Sequence, residues 1–362
     1  MGSHLISRRS RLAYGAFALA EHLFGEERVD EKWASARTRL FARLTRESLL
    51  SAPATPRDIE RRSELSLEEF RRDYQRPGFP VVFAGAARNW PCLSEWTYER
   101  IDRRCGGDLL PLDYAFSKLR PVLREIRQGR EFYLRFYALL QRHPEFLDDL
   151  DMPWLVSRRN SGPSWDQGFQ TFIGNSRSKP TALHNANDAN LFVQVSGRKE
   201  WCFYSPEHSF AINPGPIKSE YRTQRAGAPH FDPFNPDYAQ FPHMRAVPSF
   251  RAVLEPGDVL WNPPYWWHAV RNLSDWTVGA GYRWVTPTHC LRTAPLWAAC
   301  TARHPPVWES LRLADKDFGL VFLEQYPELK GHPLYSDYVA QLEGTYEGYR
   351  EKMNGAHASA QR

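Results

Sequence analysis

The chain has 362 residues, 42% hydrophobic and 25% charged, enough for one large domain with additions and ordinary for a folded protein. A net charge of +5 is modest, and no basic stripe alternates with stacking aromatics, so nucleic acid is excluded as an expected partner. The five cysteines (Cys92, Cys105, Cys202, Cys290 and Cys300) form no CxxC pair, which excludes a disulfide framework and a cysteine zinc site and fits a reducing cytoplasm.

Residues 5 to about 50 carry Ala, Leu and Arg at helical spacing and predict helix, with the arginines on a solvated face. Ser7-Arg8-Arg9 has the outline of a twin-arginine signal, but Glu21 and His22 interrupt the apolar run that follows, and an amphipathic helix is expected instead. No stretch is apolar enough for a bilayer span, so no membrane association is expected. Ser51 to Pro56 reads as a linker; Ser66 with Glu69 is a capping box opening a helix over Leu67 to Tyr74, and Pro80 to Phe83 reads as a strand. From about 169 the pattern changes to short apolar runs between turns: Phe169 to Ile173, Leu191 to Val195, Trp201 to Tyr204, Arg251 to Leu254, Val259 to Trp261 and Thr277 to Tyr282. Such a series predicts a mainly β chain with a jelly-roll core and helical additions. Asn213 to Phe241 reads as a long loop over a site mouth. Leu291 to Thr301, Trp308 to Ala314 and Tyr335 to Lys352 are candidate helices, packed outside the barrel or forming a homodimer interface. The division expected is 1–60 helical, 61–285 catalytic and 286–362 helical.

Two segments carry the chemistry, Thr181 to Leu191 around His184 and Pro256 to His268. Each histidine stands at the end of an expected strand, and a jelly roll can bring two such ends to one mouth. Paired neutral imidazoles suit a divalent metal, although a core role is the ordinary reading of either histidine alone. His208, His230 and His243 read as polar loop residues, and Trp261, Trp266 and Trp267 as core and pocket wall.

Asn190 to Trp201, Asn235 to Tyr238 with Phe241-Pro242, Gly257 to His268, and Ser66 to Trp96 occur in the order seen in the JmjC-like cupin family of Fe(II)/2-oxoglutarate-dependent oxygenases, which the chain resembles from about 66 to 284. The resemblance implies a double-stranded β-helix (cupin) fold, His184 and His268 as metal ligands, and Lys199 as the partner of the distal carboxylate of 2-oxoglutarate. It further implies that Thr181 and Tyr133 hold the same carboxylate and that Asn190 stands near the co-substrate. The family's acidic residue two places after the first histidine is here Ala186, on the face that should look at the metal. Four explanations stand open. Iron halogenases of the same class show His-x-Ala, with chloride or bromide in the halide-sized vacancy, and this is the preferred reading. A hydroxylase of a peptide or protein side chain would use another ligand, Asp188 being the nearby carboxylate. A non-catalytic cupin binding protein would need none, and the acid could also have been removed deliberately. The substrate is a small molecule or a peptide. In Val278 to Tyr282 small residues replace an Asn of the family, which reads as a roomier pocket.

Overall fold

Strands rich in aromatic and β-branched residues alternate with Gly, Pro and Asn turns along much of the chain, and they build two facing sheets. The computed structural model describes residues 5–112, 115–160, 162–216, 221–302, 327–343 and 345–360. In chain order the strands are β1 (Arg57–Asp58), β2 (Arg61–Arg62), β3 (Val81–Phe83), β4 (Leu109–Leu112), β5 (Ala115–Lys118), β6 (Tyr133–Tyr137), β7 (Trp165–Gly174), β8 (His184–Ala186), β9 (Ala189–Ser196), β10 (Lys199–Tyr204), β11 (Tyr221–Thr223), β12 (Ser249–Leu254), β13 (Val259–Asn262), β14 (Trp267–Asn272) and β15 (Thr277–Val285). One sheet runs β1-β12-β10-β14-β8-β11 and the other β2-β3-β13-β9-β15-β7-β6; β4 and β5 form a separate hairpin. This is the expected jelly-roll sandwich with helical additions.

Alternation assigns the faces. On β10, Trp201 and Phe203 face the barrel interior with Phe192, Phe172, Leu260 and Val270. Cys202 and Tyr204 face outward, into a second core. On β9, Leu191, Val193 and Val195 face away from the barrel, into the largest core, with Trp261, Tyr282 and Trp284. Both sheets are therefore covered on both sides, which is why β9 and β10 are nearly continuous in buried residues.

The expected N-terminal helix is two, Arg8–Phe24 and Glu26–Leu49, broken at Gly25 (φ 87°). Leu40 and Leu44 pack with Phe210, Tyr204 and Trp267 over the outer face of the first sheet, while Arg8, Arg9, Arg39, Arg43 and Arg46 stay exposed. The predicted helix at 67 keeps its capping box but tightens to a single α-turn, Leu67–Phe70, followed by a π-helical turn to Gln75. The expected loop from Asn213 contains β11, which pairs with β8, because Tyr221 to Thr223 is too short for a periodic signal. Leu291 to Thr301 is split into Pro287–Thr293 and Pro295–Ala302, a break that Pro295 imposes on the residue before it. Helix Thr345–Ala360 lays Tyr349, Met353 and Ala356 into the largest core. Trp308 to Ala314 lies outside the described residues.

Candidate active site

His184 opens β8, and His268 stands opposite it in the antiparallel register with β14. Their ring centroids are 4.3 Å apart. Each ring bonds through Nδ1 to a carbonyl two residues back, His184 to Ala182 O at 2.8 Å and His268 to Trp266 O at 2.9 Å. A carbonyl can only accept, so Nδ1 carries the proton and Nε2 the lone pair in both rings. Burial pushes the His184 imidazolium down to about 4, and burial together with the His184 charge holds His268 well below its ordinary value. Both rings are neutral at pH 7, the form that binds a metal. The Pro263 to Trp266 loop is tied to β8 from both sides: Tyr265 N donates to Ala186 O at 2.7 Å and Asn185 Nδ2 donates to Tyr265 O at 3.2 Å. Tyr265 is held at φ 64° there, a left-handed conformation that costs a bulky residue energy and is kept where the surroundings fix it.

Ala186 follows on the same face as His184 and offers a methyl group. Asp188, in the short β8–β9 connection, accepts from Arg283 Nη1 at 2.9 and 3.2 Å, and both side chains are buried. Its carboxylate is turned to the guanidinium. Among the described residues no group of three His, Cys, Asp or Glu side chains could hold a metal ion. Beside the paired imidazoles the described residues therefore bring no carboxylate.

Lys199 is fully buried at the other end of the barrel. The turn before it needs glycine: Gly197 has φ 64°, and a Cβ there would lie 2.2 Å from Trp276 O. Lys199 Nζ donates to Asn272 Oδ1 at 2.5 Å, Thr277 Oγ1 at 3.1 Å and Tyr133 OH at 3.3 Å. All three partners are neutral, and burial pushes the ammonium down to about 7. Tyr133 is thus brought to Lys199. Thr181 bonds instead to the backbone of Val270, accepting from its N–H at 2.8 Å and donating its own N–H to the Val270 carbonyl at 2.9 Å, midway between the His268 and Asn272 levels of β14. Asn190 is fully buried near the histidine end, in register with Asn262. Neither polar atom of the Asn190 side chain has a partner, nor has Asn262 Oδ1.

Between the two ends runs a series of ring contacts: His268 to Trp201 (5.4 Å), Trp201 to Phe192 (5.0 Å), Phe192 to Phe172 (5.8 Å) and Phe172 to Tyr133 (6.4 Å). The roomier pocket expected from Val278 to Tyr282 is not found. A Cβ on Gly279 would lie 2.3 Å from Phe192 Cζ, and one on Gly281 2.7 Å from Asn190 Oδ1, so neighbouring side chains already fill the space that the glycines leave. Sequence reasoning missed Asn272, Thr277, Trp201 and Arg283. Trp201 was within reach, since it is two residues from Lys199 on one strand; the others depend on cross-strand register. A separate cavity of about 270 Å³ lies between the second helix and the 213–241 segment, lined by Phe41, Leu44, Phe210 and His243 among others, and none of the expected site residues borders it.

Residues 113–289 match the family described as a cupin-like domain. The chain is 28% identical over 237 residues to "Lysine-specific demethylase JMJ30" of Arabidopsis thaliana, covering 61% of this chain and 53% of that protein. It is 27% identical over 233 residues to "Lysine-specific demethylase 8" of Xenopus tropicalis, covering 60% and 51%. The chain therefore spans about half the length of these relatives. Among solved structures, Escherichia coli ycfD aligns with a TM-score of 0.37 and 14% identity over 62% of this chain and 54% of that one.

Proposed function

We propose that this chain, with its cupin-like domain, is an Fe(II)- and 2-oxoglutarate-dependent oxygenase that oxidises a C–H bond of a peptide or protein side chain. The observation that carries the reading is Lys199, a fully buried ammonium whose hydrogen-bond partners are all neutral, in the same barrel as the paired imidazoles. A buried cation without a counter-charge is costly, and a dicarboxylate supplies the missing anion. At the other end, two neutral imidazoles with Nε2 lone pairs fit a divalent iron, and the unpartnered Asn190 fits a polar ligand beside them. His184 and His268 would hold the metal, and Lys199 and Tyr133 the distal carboxylate, with Thr181 along the same strand edge. When bound, iron and 2-oxoglutarate supply the dioxygen chemistry; the protein's part is to bind, orient and exclude water. With Ala186 in the third place, the chain offers no carboxylate there, and a bound iron would draw its further ligands from co-substrate, solvent or a small anion. The kinship with proteins named as lysine-specific demethylases favours a protein side chain as substrate. Halogenation, the reading expected from Ala186, gains no support from those relatives, and Asp188 is engaged by Arg283, so no substitute carboxylate is assigned.

The test is anaerobic titration of Fe(II) and 2-oxoglutarate into the protein, followed by peptide-dependent succinate release in air. A visible charge-transfer band and peptide-coupled succinate are expected. Absence of the band at saturating iron would leave a non-catalytic cupin, and a chlorinated product with chloride present would return the halogenase.

A further inference from the structure

The barrel interior holds one more polar group that packing alone does not explain. Trp201 is 3% exposed and lies on the face of β10 that also carries Lys199 and Phe203, midway between the lysine and the histidine pair. Its indole packs against a cluster of rings, near-parallel to Phe203 (10° between planes) and to His268 (28°), which also touch each other, with Phe192 against it at 67°. Yet its Nε1–H has no partner. Five other buried indoles among the described residues are matched: Trp96 by Asp149, Trp266 by Gly78 O, Trp267 and Trp297 by Ser209, and Trp284 by Asn160. Trp261 is also unmatched, but it packs in the core on the other side of its sheet. A phenylalanine would fill the Trp201 stack without burying a donor, whereas an unmet buried N–H keeps its full desolvation penalty. Asn190, with both side-chain polar atoms unmatched, and Asn262, with its Oδ1 unmatched, border the same interior.

We propose that Trp201 is a binding residue for the co-substrate, its indole N–H donating to an oxygen of the dicarboxylate as that molecule passes from the His184–His268 pair to Lys199. This rests on the oxygenase reading above. Any five-carbon diacid that reaches both ends must lie alongside the indole, because Lys199, Trp201 and Phe203 occupy successive inward positions of one strand, facing Asn272, Val270 and His268. The ring then serves as wall and the N–H as donor, which complements an anion better than an apolar side chain would.

The experiment is calorimetric titration of 2-oxoglutarate into Fe(II)-loaded protein without oxygen, with the charge-transfer band as a second readout. Trp201→Phe keeps the ring and removes the donor; it should weaken 2-oxoglutarate by about tenfold while leaving Fe(II) affinity in its absence unchanged. Trp201→Ala should weaken it at least as much. Equal affinity in Trp201→Phe, or tighter binding in Trp201→Ala, would mean that the indole merely occupies space, and the proposal falls while the oxygenase reading stands. If the wild-type protein takes up iron but no 2-oxoglutarate, both fall together. Should Trp201→Ala fail to fold, as judged by circular dichroism, Trp201→Phe alone decides.

Discussion

A lysine held at about 7 inside a barrel sets a sign that can be measured. The unfolded chain keeps this group protonated to about 10.4, so between about 7 and 10 the unfolded state binds more protons, and the contribution of Lys199 to stability rises with pH through that window. Below it both states are charged and the folded state bears the whole burial cost. Lys199→Met should therefore melt no lower than wild type at pH 7 and lose that pH slope in thermal denaturation. The same variant should lose about a hundredfold in 2-oxoglutarate affinity, because a carboxylate would be left without its cation. In the wild-type protein 2-oxoglutarate affinity should fall by up to about tenfold per pH unit above about 7, since only the ammonium form receives the anion. A flat calorimetric profile from pH 6 to 9 would remove Lys199 from the co-substrate site. At the opposite end, Ala186→Asp places an acid two residues after His184 on the same face, and should tighten Fe(II) by about tenfold or more in equilibrium dialysis. An unchanged affinity would show that residue 186 does not look at the ion. His184, His268 and Lys199 could be picked out because single residue types in recognisable motifs mark them. Asn272 and Thr277 could not, since nothing in a linear pattern says which polar residue will face a lysine across two strands.

At the scale of the element, burial on both faces is what made the strands legible. Leu191, Val193 and Val195 enter one core while Phe192, between them, enters another, and Trp201 and Phe203 are divided in the same way from Cys202 and Tyr204. Each strand is therefore a short, almost unbroken apolar run that stands out even without register. What failed was the reading of small residues as space. Gly279 is opposite Gln194 in register, and the Phe192 ring lies where its side chain would be. Gly279→Ala is expected to lower stability by about 1–3 kcal/mol through overpacking. Coupling that change to Phe192→Leu should recover part of the loss, and a denaturant double-mutant cycle measures the interaction. Additive losses would place the glycine's role in the backbone instead. β11 escaped sequence reading for a related reason: a three-residue strand has too few positions to show a period, and its place beside β8 is decided by tertiary pairing.

For the whole molecule, the N-terminal helices are structural parts of the barrel's outer cover. Glu21 of the first helix is 6% exposed and accepts from Arg225 Nη2 at 2.9 and 3.0 Å; Arg225 is 9% exposed and also pairs with Glu26 of the second helix. Those bonds tie both helices to the segment just after β11, and β11 flanks the strand that carries His184. An ion pair so deeply buried gains little over an apolar pair of equal volume, but removing one member strands the other. Glu21→Ala should therefore cost about 3 kcal/mol, moderated by Glu26, whereas the pair Glu21→Leu with Arg225→Met should fold with nearly wild-type stability. Urea denaturation distinguishes the two. If the single change is as mild as the double, Glu26 and the Pro214 carbonyl satisfy Arg225, and the coupling of the N-terminal helices to the histidine strand rests on the apolar contacts of Leu40 and Leu44 instead.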